Sequence, residues 1–125
     1  MEPPSPARLY ATVAGALLVV LGILGFFYNA SFGDLDAYEE AFAGLQVNGW
    51  LNLFFLATGS LGVLVAGVSS RTYALAVGLL YTALAIVGWG SGWLFVTVGV
   101  LGLVAALGTP RRPLKPRAKP ARQRA

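Results

Sequence analysis

The 125-residue chain contains no cysteine and no histidine, and it is poor in charge. The absence of cysteine excludes disulfides, thiolate metal ligands and thiol nucleophiles, and the absence of histidine removes the commonest metal ligand and the usual general base. Charged residues make up 11% of the chain, whereas an average soluble domain has about 25%. The sequence therefore predicts no enzyme activity and no catalytic, cofactor or metal site.

The few charged residues are excluded from four long apolar stretches, which cover residues 9–28, 47–68, 72–89 and about 90–108. A helix needs about 20 apolar residues to cross the hydrocarbon core of a bilayer. The pattern predicts an all-α membrane protein whose four transmembrane helices lie within residues 9–108. A short proline-rich segment, 1–8, precedes them, and a basic, proline-rich tail, 109–125, follows.

The basic residues predict the orientation of these helices. Arg8 precedes the first span, Arg71 lies between the second and third spans, and the other seven Lys and Arg residues lie in the tail. Positive residues near helix ends are retained in the cytoplasm, so both termini are predicted to be cytoplasmic. Four of the five acidic residues fall in the predicted external loop, 29–46, namely Asp34, Asp36, Glu39 and Glu40.

The first and third spans resemble each other at an offset of 63 positions, which aligns Arg8 with Arg71 and Tyr10 with Tyr73. The second and fourth spans resemble each other more weakly at an offset of 40. We expect two tandem helical hairpins of the same orientation, related by a pseudo-twofold axis along the membrane normal.

Small residues lie on the repeated faces and predict close helix packing in lipid. The packing glycines are Gly15, Gly59, Gly62, Gly78, Gly99 and Gly102. Asn48 and Asn52 are one helical turn apart at the outer end of the second span, where they predict interhelical hydrogen bonds or the lining of a shallow polar pocket. Aromatic residues near span ends predict interfacial belts, with Trp50, Trp89 and Trp93 outside and Tyr10 and Tyr73 inside.

The external loop predicts a short amphipathic helix. Asp36 and Glu39 resemble a capping box, and Tyr38, Ala41, Phe42 and Leu45 follow at helical spacing. Its apolar face is expected to rest on the mouth of the bundle or on the lipid interface. Two alternatives are a solvated acidic loop and a cap that binds a partner or attracts cations.

The tail is predicted to be extended and disordered, because proline recurs at every third or fourth position and no aromatic residue is present. Basic residues near an anionic leaflet predict contact with lipid headgroups. The residues expected to make this contact are Arg8, Arg71, Arg111, Arg112, Lys115, Arg117 and Lys119. Nucleic-acid binding is not predicted, since the tail lacks stacking aromatic residues.

Five short motifs between residues 8 and 109 form a recognisable set. They are Arg8-x-Tyr10-Ala11, Gly22-x-x-Gly25-Phe26, Val47-Asn48-Gly49-Trp50-x-Asn52, Gly59-x-x-Gly62, and Tyr73-Ala74 with Gly78 and Tyr81. In these motifs the chain resembles the DUF4383 family of small bacterial four-span membrane proteins, a family of unknown function. The resemblance implies a location in the bacterial plasma membrane. It also implies histidines where Leu51, Phe55 and Phe95 stand here, so this chain lacks the groups that suggest metal, haem or proton chemistry.

Three functions are compatible with the sequence. The favoured one is a non-enzymatic accessory or scaffold subunit that contacts lipid and a membrane protein partner or a second copy of itself. The first alternative is a small transporter or channel that uses the interface between the two hairpins, although intramembrane charges, which usually mark such pathways, are absent. A membrane enzyme is the least favoured, because its acids would all lie in the exposed loop.

Overall fold

The computed structural model describes residues 2–41 and 43–111, and most of these residues lie in helices. The four helices are α1 (Pro6–Gly25), α2 (Gly49–Val65), α3 (Ser70–Val87) and α4 (Gly92–Leu107). Between α1 and α2 lies a two-stranded antiparallel ladder of β1 (Glu39–Glu40) and β2 (Gln46–Val47). We call α1 and α2 the first hairpin and α3 and α4 the second hairpin. The prediction of four helices is confirmed.

Local capping residues set the ends of the helices. Pro6 is the first residue of α1, and the Ser5 side chain accepts a hydrogen bond from the Arg8 amide, so this helix begins three residues before the predicted apolar span. At the other end of the bundle, α3 stops at Gly88, which has a φ of 91°. Glycine adopts this left-handed conformation without the steric penalty that a Cβ atom would impose.

Two of the helices, α1 and α3, are long and apolar enough to cross a membrane. Only 33% of the most apolar 18-residue window of each is buried, unlike a helix in the core of a soluble protein. The other two are apolar but shorter, with 17 residues in α2 and 16 in α4. All four helices expose large apolar side chains, for example Leu17, Leu64, Ile86 and Leu107.

Within each hairpin the helices approach closely through glycines. A Cβ atom on Gly15 would lie 2.8 Å from the Gly59 carbonyl oxygen, and one on Gly78 would lie 3.0 Å from the Gly99 carbonyl oxygen. No larger residue fits such contacts without moving backbone. These four glycines therefore lie where the two helices of each hairpin meet.

The prediction of an amphipathic helix in the loop 29–46 is wrong. Described residues there form the β-ladder, in which Glu39 pairs with Val47, and the turn includes Ala43 and Gly44 with φ of 56° and 72°. Leu45 and Val47 are buried while Gln46 is exposed. The apolar residues at the end of the loop therefore follow the alternation of a strand.

Residues 29–41 and 43–48, which we call the acidic cap, lie over the turn between α3 and α4. The Gln46 amide donates to Ser91 Oγ at 2.6 Å, the Gly90 amide to Tyr38 Oη at 2.9 Å, and the Trp89 indole N–H to the Leu35 carbonyl at 2.9 Å. These bonds join parts of the chain that are distant in sequence, and they hold the cap in its non-helical conformation.

Candidate functional site

Asn48 anchors the acidic cap to the first hairpin. It is the N-cap of α2, and its side-chain oxygen accepts from the Leu51 amide at 2.8 Å. Its Nδ2 donates to the carbonyls of Leu35 at 3.0 Å and Ala37 at 3.3 Å. The side chain is fully buried. Asn48 therefore uses both ends of its amide, one to start a helix and the other to hold the cap.

Asn52 lies one turn later, also fully buried, and joins α2 to the end of α1. Its Nδ2 donates to the Asn29 carbonyl at 2.7 Å. Its Oδ1 has no hydrogen-bond partner among the described residues and lies against Gly25, where any Cβ atom would collide with it. The interpretation of this pair as structural hydrogen bonding fits these contacts better than a polar pocket does, because neither side chain reaches solvent.

The three positions at which the family resemblance implies histidines come together in the structure. Leu51, Phe55 and Phe95 are all fully buried, and the rings of Phe55 and Phe95 are 5.8 Å apart and nearly perpendicular. Phe54, Tyr81 and Trp89 pack around them. These residues form an aromatic cluster directly beneath the acidic cap, and its contacts are those of a hydrocarbon core rather than of a chemical site.

Donor groups for a metal are also not assembled elsewhere in the described part of the chain. Among residues 2–41 and 43–111, no group of three or more His, Cys, Asp and Glu side chains could hold a metal ion. The acids of the cap, Asp34, Asp36, Glu39 and Glu40, are all exposed to solvent. At the cap end of the bundle, the described residues form a set of hydrogen bonds that fixes the conformation of a loop.

The interpretation of Tyr10 and Tyr73 as interfacial anchors is wrong. Both are buried, and their rings lie 6.1 Å apart between the two hairpins. The Tyr10 hydroxyl donates to the Val98 carbonyl of α4 at 2.8 Å, and the Tyr73 hydroxyl donates to the Thr58 carbonyl of α2 at 2.7 Å. Each tyrosine therefore crosslinks its own hairpin to the other one.

A third hydroxyl contact between the hairpins was not anticipated from the sequence. Thr58 Oγ1 and the Tyr81 hydroxyl are 2.7 Å apart and both are buried. Tyr81 was visible as a polar residue in an apolar span, but only the fold identifies Thr58 as its partner. A tyrosine far from a span end was the signal that could have suggested buried hydrogen bonding.

Basic residues gather at the end of the bundle opposite the cap, which we call the basic end (residues 2–8, 66–72 and 108–111). Arg8 donates to the Glu2 carbonyl, and Arg71 Nε donates to the Thr109 carbonyl at 3.3 Å. Arg111 is exposed. The remaining predicted lipid contacts, Arg112, Lys115, Arg117 and Lys119, lie outside the described residues.

Comparison with known proteins identifies a family whose function is unknown. No curated protein and no solved structure matches the chain. Residues 8–92 match the family model described as Domain of unknown function (DUF4383). This match ends at the first residue of α4 and so does not reach Phe95, whereas the resemblance in the sequence extends to about Thr109. Because the match covers more than half of the chain, the protein belongs to the DUF4383 family.

Proposed function

We propose that the protein is a non-enzymatic, multi-pass protein of the bacterial plasma membrane that serves as an accessory or scaffold subunit of a membrane assembly. The observation that carries this proposal is the confinement of charged residues to the two ends of the bundle. In the described chain, the acidic residues of the cap lie at one end, and Glu2, Arg8, Arg71 and Arg111 lie at the other. The helix surfaces between these ends are apolar.

Such surfaces favour lipid as their solvent. Large apolar side chains are exposed on every helix, including Leu64 at 75%, Ile86 at 82% and Leu107 at 78%. In water, exposed apolar patches of this extent are rare on monomeric proteins. We therefore propose that α2 and α4 also span the membrane. Their helical lengths are about 26 and 24 Å, and a bilayer thins locally to match short helices.

The proposed orientation follows from the charged residues at the two ends of the bundle. Arg8, Arg71 and Arg111 would lie in the cytoplasm with both termini, and the acidic cap would lie outside. Arg71 is the second residue of α3, and its bond to Thr109, just after α4, supports a shared end for the short turn and the tail. An even number of spans requires the termini to share a side.

Matching contacts support the proposed tandem repeat. Tyr73 is 63 positions after Tyr10, the offset between α1 and α3. Tyr10 donates to Val98 on α4 and Tyr73 donates to Thr58 on α2, and these two acceptors are separated by 40 positions, the offset between α2 and α4. A Cβ atom at Gly62 would meet Tyr73 Oη, and one at Gly102 would meet Tyr10 Oη. A pseudo-twofold axis between the two tyrosine rings would produce both sets of contacts.

The interior supports a structural role more than transport. Three hydroxyl contacts and the aromatic cluster fill the space between the hairpins. Two surface clefts, of about 380 and 250 Å³, are lined by residues of the basic end, the first two turns of α1 and the first turn of α3. Neither cavity is lined by residues from the middle of the spans.

Membrane topology can be tested in the native membrane. A periplasm-active reporter inserted between Gly33 and Asp34 should be active, and the same reporter fused after Ala125 should be silent. Alkaline carbonate should leave the protein in the membrane fraction, while detergent should extract it. Release by carbonate, or the reverse reporter pattern, would contradict the proposal.

The accessory role can be tested by site-specific photocrosslinking. A photoreactive amino acid would replace Leu17, Leu64, Ile86 or Leu107, which are exposed on α1, α2, α3 and α4 respectively. A specific partner should give the same protein adduct from one or two neighbouring helices only. Lipid adducts alone from all four positions would count against a subunit role while leaving membrane insertion intact.

A further inference from the structure

The basic end contains a cleft of about 380 Å³ that no function above uses. It is lined by Glu2, Val68, Ser69, Arg71, Thr72 and Arg111. The lining therefore comes from three separated parts of the chain, namely the N-terminal segment, the turn into α3 and the residues after α4. Two arginines and two hydroxyl-bearing residues, Ser69 and Thr72, therefore line a single cleft.

Arg71 is held in place rather than loose in solvent. Its Nε donates to the Thr109 carbonyl, and its terminal nitrogens remain as donors to the cleft. Thr109 is itself fixed, since its hydroxyl accepts from the Ala7 amide at 2.9 Å and donates to the Ala105 carbonyl at 2.7 Å. The guanidinium is thus oriented by its bond to Thr109, which is itself fixed to α1 and α4, and this lowers the entropy lost when a ligand binds.

Arg111 adds a second positive group to the cleft. It is exposed, and no described residue hydrogen-bonds to its side chain. Among the described lining residues, Glu2 alone is negatively charged, and its Oε1 accepts from the Ser70 amide at 3.3 Å. Two positive groups against one negative group leave the cleft with a net positive charge.

Two arginines beside two hydroxyls match the chemistry of a phosphate group. Guanidinium groups bind phosphate oxygens through paired, charge-assisted hydrogen bonds, and hydroxyls donate to the remaining oxygens. The cleft also includes the exposed apolar residue Val68, and it lies where the apolar surfaces of α3 and α4 end. In a membrane this is the depth of the lipid phosphates.

We propose that this cleft binds one phosphate group, supplied by an anionic lipid headgroup or by free phosphate. The proposal rests on the membrane insertion proposed above only for the lipid source. It differs from general attraction of a basic surface to an anionic leaflet, because it assigns binding to two particular arginines and a stoichiometry of one.

The test uses the full chain in detergent, titrated with phosphatidylglycerol, with phosphatidylcholine as the zwitterionic comparison, and bound lipid is counted by native mass spectrometry. One phosphatidylglycerol should bind in preference to phosphatidylcholine. Arg111→Gln should weaken this binding about fivefold, and Arg71→Gln with Arg111→Gln should weaken it roughly 25-fold, if each basic residue contributes as it does at an anionic surface. Arg111→Gln is informative alone, because no described contact makes that side chain necessary for folding.

The matched control removes two charges elsewhere. Arg122→Gln with Arg124→Gln gives the same net charge as the cleft double variant but leaves the lining intact. It should bind like the wild type. An equal loss in both double variants would mean nonspecific attraction and would overturn the proposal, as would unchanged binding in Arg111→Gln.

A competition experiment identifies the source of the phosphate group. Displacement of phosphatidylglycerol by an equal concentration of inorganic phosphate would assign the cleft to free phosphate, whereas retention of phosphatidylglycerol would assign it to lipid. A second experiment tests the negative charge of Glu2. Glu2→Gln keeps a side-chain oxygen that can accept from the Ser70 amide and removes the negative charge, so phosphate binding should tighten. Weaker binding would contradict the proposed phosphate site. Carbonate fractionation of the same variants separates a failure of this site from a failure of membrane insertion.

Discussion

The first hairpin connects its helices through residues 26–48, which carry the acidic cap, whereas the second hairpin uses only residues 88–91. Inside the bundle the two hairpins are built alike. Gly15 packs on Gly59 in one, and Gly78 packs on Gly99 in the other. The connections can therefore differ greatly in length and structure while the helix contacts stay the same.

The two hairpins also differ in the residues at the ends of their helices next to the cap. Asn52 lies 40 positions before Gly92, and it is buried against Gly25, whereas a Cβ atom at Gly92 would meet nothing within 4 Å. A long connection needs buried amides to fix its path, but the short turn is set by Gly88 and Gly90, whose φ values are 91° and 73°. The path of the connection is thus fixed by backbone conformation in the second hairpin and by side-chain hydrogen bonds in the first.

The largest expected effect would come from filling the shared glycine contacts. In Gly59→Ala the new Cβ atom would lie 2.6 Å from the Gly15 carbonyl oxygen, and in Gly99→Ala it would lie 2.6 Å from the Thr82 amide nitrogen. Because backbone atoms must move in both variants, we expect each to lower the free energy of unfolding in mixed micelles by about 3 kcal/mol.

Gly92→Ala is the control for this pair, since the added methyl group meets open space. It should change the free energy of unfolding by less than about 0.5 kcal/mol. A large loss in Gly59→Ala beside no loss in Gly99→Ala would break the comparison, because it would show that the two hairpins pack through different surfaces.

The next effect separates the starts of α2 and α4. Asn48→Ala removes the bond to the Leu51 amide, leaves the Ala37 carbonyl without its donor and leaves the Leu35 carbonyl with Trp89 alone, so we expect a loss of about 2 kcal/mol. Ser91 is the N-cap of α4, but it makes no side-chain capping bond and instead binds Gln46 of the cap. Ser91→Ala should cost about 1 kcal/mol.

Amide hydrogen exchange distinguishes the two variants beyond their stabilities. Asn48→Ala should speed exchange at Leu51, whereas Ser91→Ala should speed exchange at Gln46 and leave the first turn of α4 protected. Faster exchange at Leu94 and Phe95 in Ser91→Ala would contradict this assignment of the serine hydroxyl to the cap.

The helices could be predicted from the sequence because their apolar runs are long and contain no charged residue. The α1 boundary was less accurate, although Ser5 followed by Pro6 is a readable start signal. The cap was predicted wrongly for a physical reason. Tyr38, Ala41 and Leu45 fit a helical spacing, and the short alternation that ends at Val47 fits a strand equally well. Hydrogen bonds to Gly90 and Ser91 stabilise the strand rather than the helix. These two residues are more than 40 positions away in the sequence, so a local pattern cannot reveal them.

The hydrogen-bond partners of the buried tyrosines also could not be predicted from local sequence. Tyr10 and Tyr73 occur beside arginines at span ends, where interfacial anchoring is the usual interpretation. Their acceptors are carbonyls on helices of the opposite hairpin. Asn48 and Asn52 could be predicted as hydrogen-bonding residues from their type and position, but the atoms they bind could not.

A smaller effect tests the proposed symmetry axis. Tyr10→Phe and Tyr73→Phe each remove one hydroxyl and leave a buried carbonyl without it, so each should lower the free energy of unfolding by about 1 kcal/mol. Tyr81→Phe should cost less, since Thr58 Oγ1 keeps its bond to the Phe54 carbonyl. Clearly unequal losses for Tyr10→Phe and Tyr73→Phe would argue against equivalent positions.

The smallest effect concerns a hydroxyl that only the second hairpin has. Thr82 lies against Gly99, and its Oγ1 is buried without a hydrogen-bond partner among the described residues. The residue 63 positions earlier, in the first hairpin, is Val19. Thr82→Val keeps the shape and removes the unpaired hydroxyl, so the free energy of unfolding should rise by up to about 1 kcal/mol. The matched reversal, Val19→Thr, should give no gain. A loss in Thr82→Val would mean that this hydroxyl is bonded in the membrane, and that the second hairpin uses a polar contact where the first uses an apolar one.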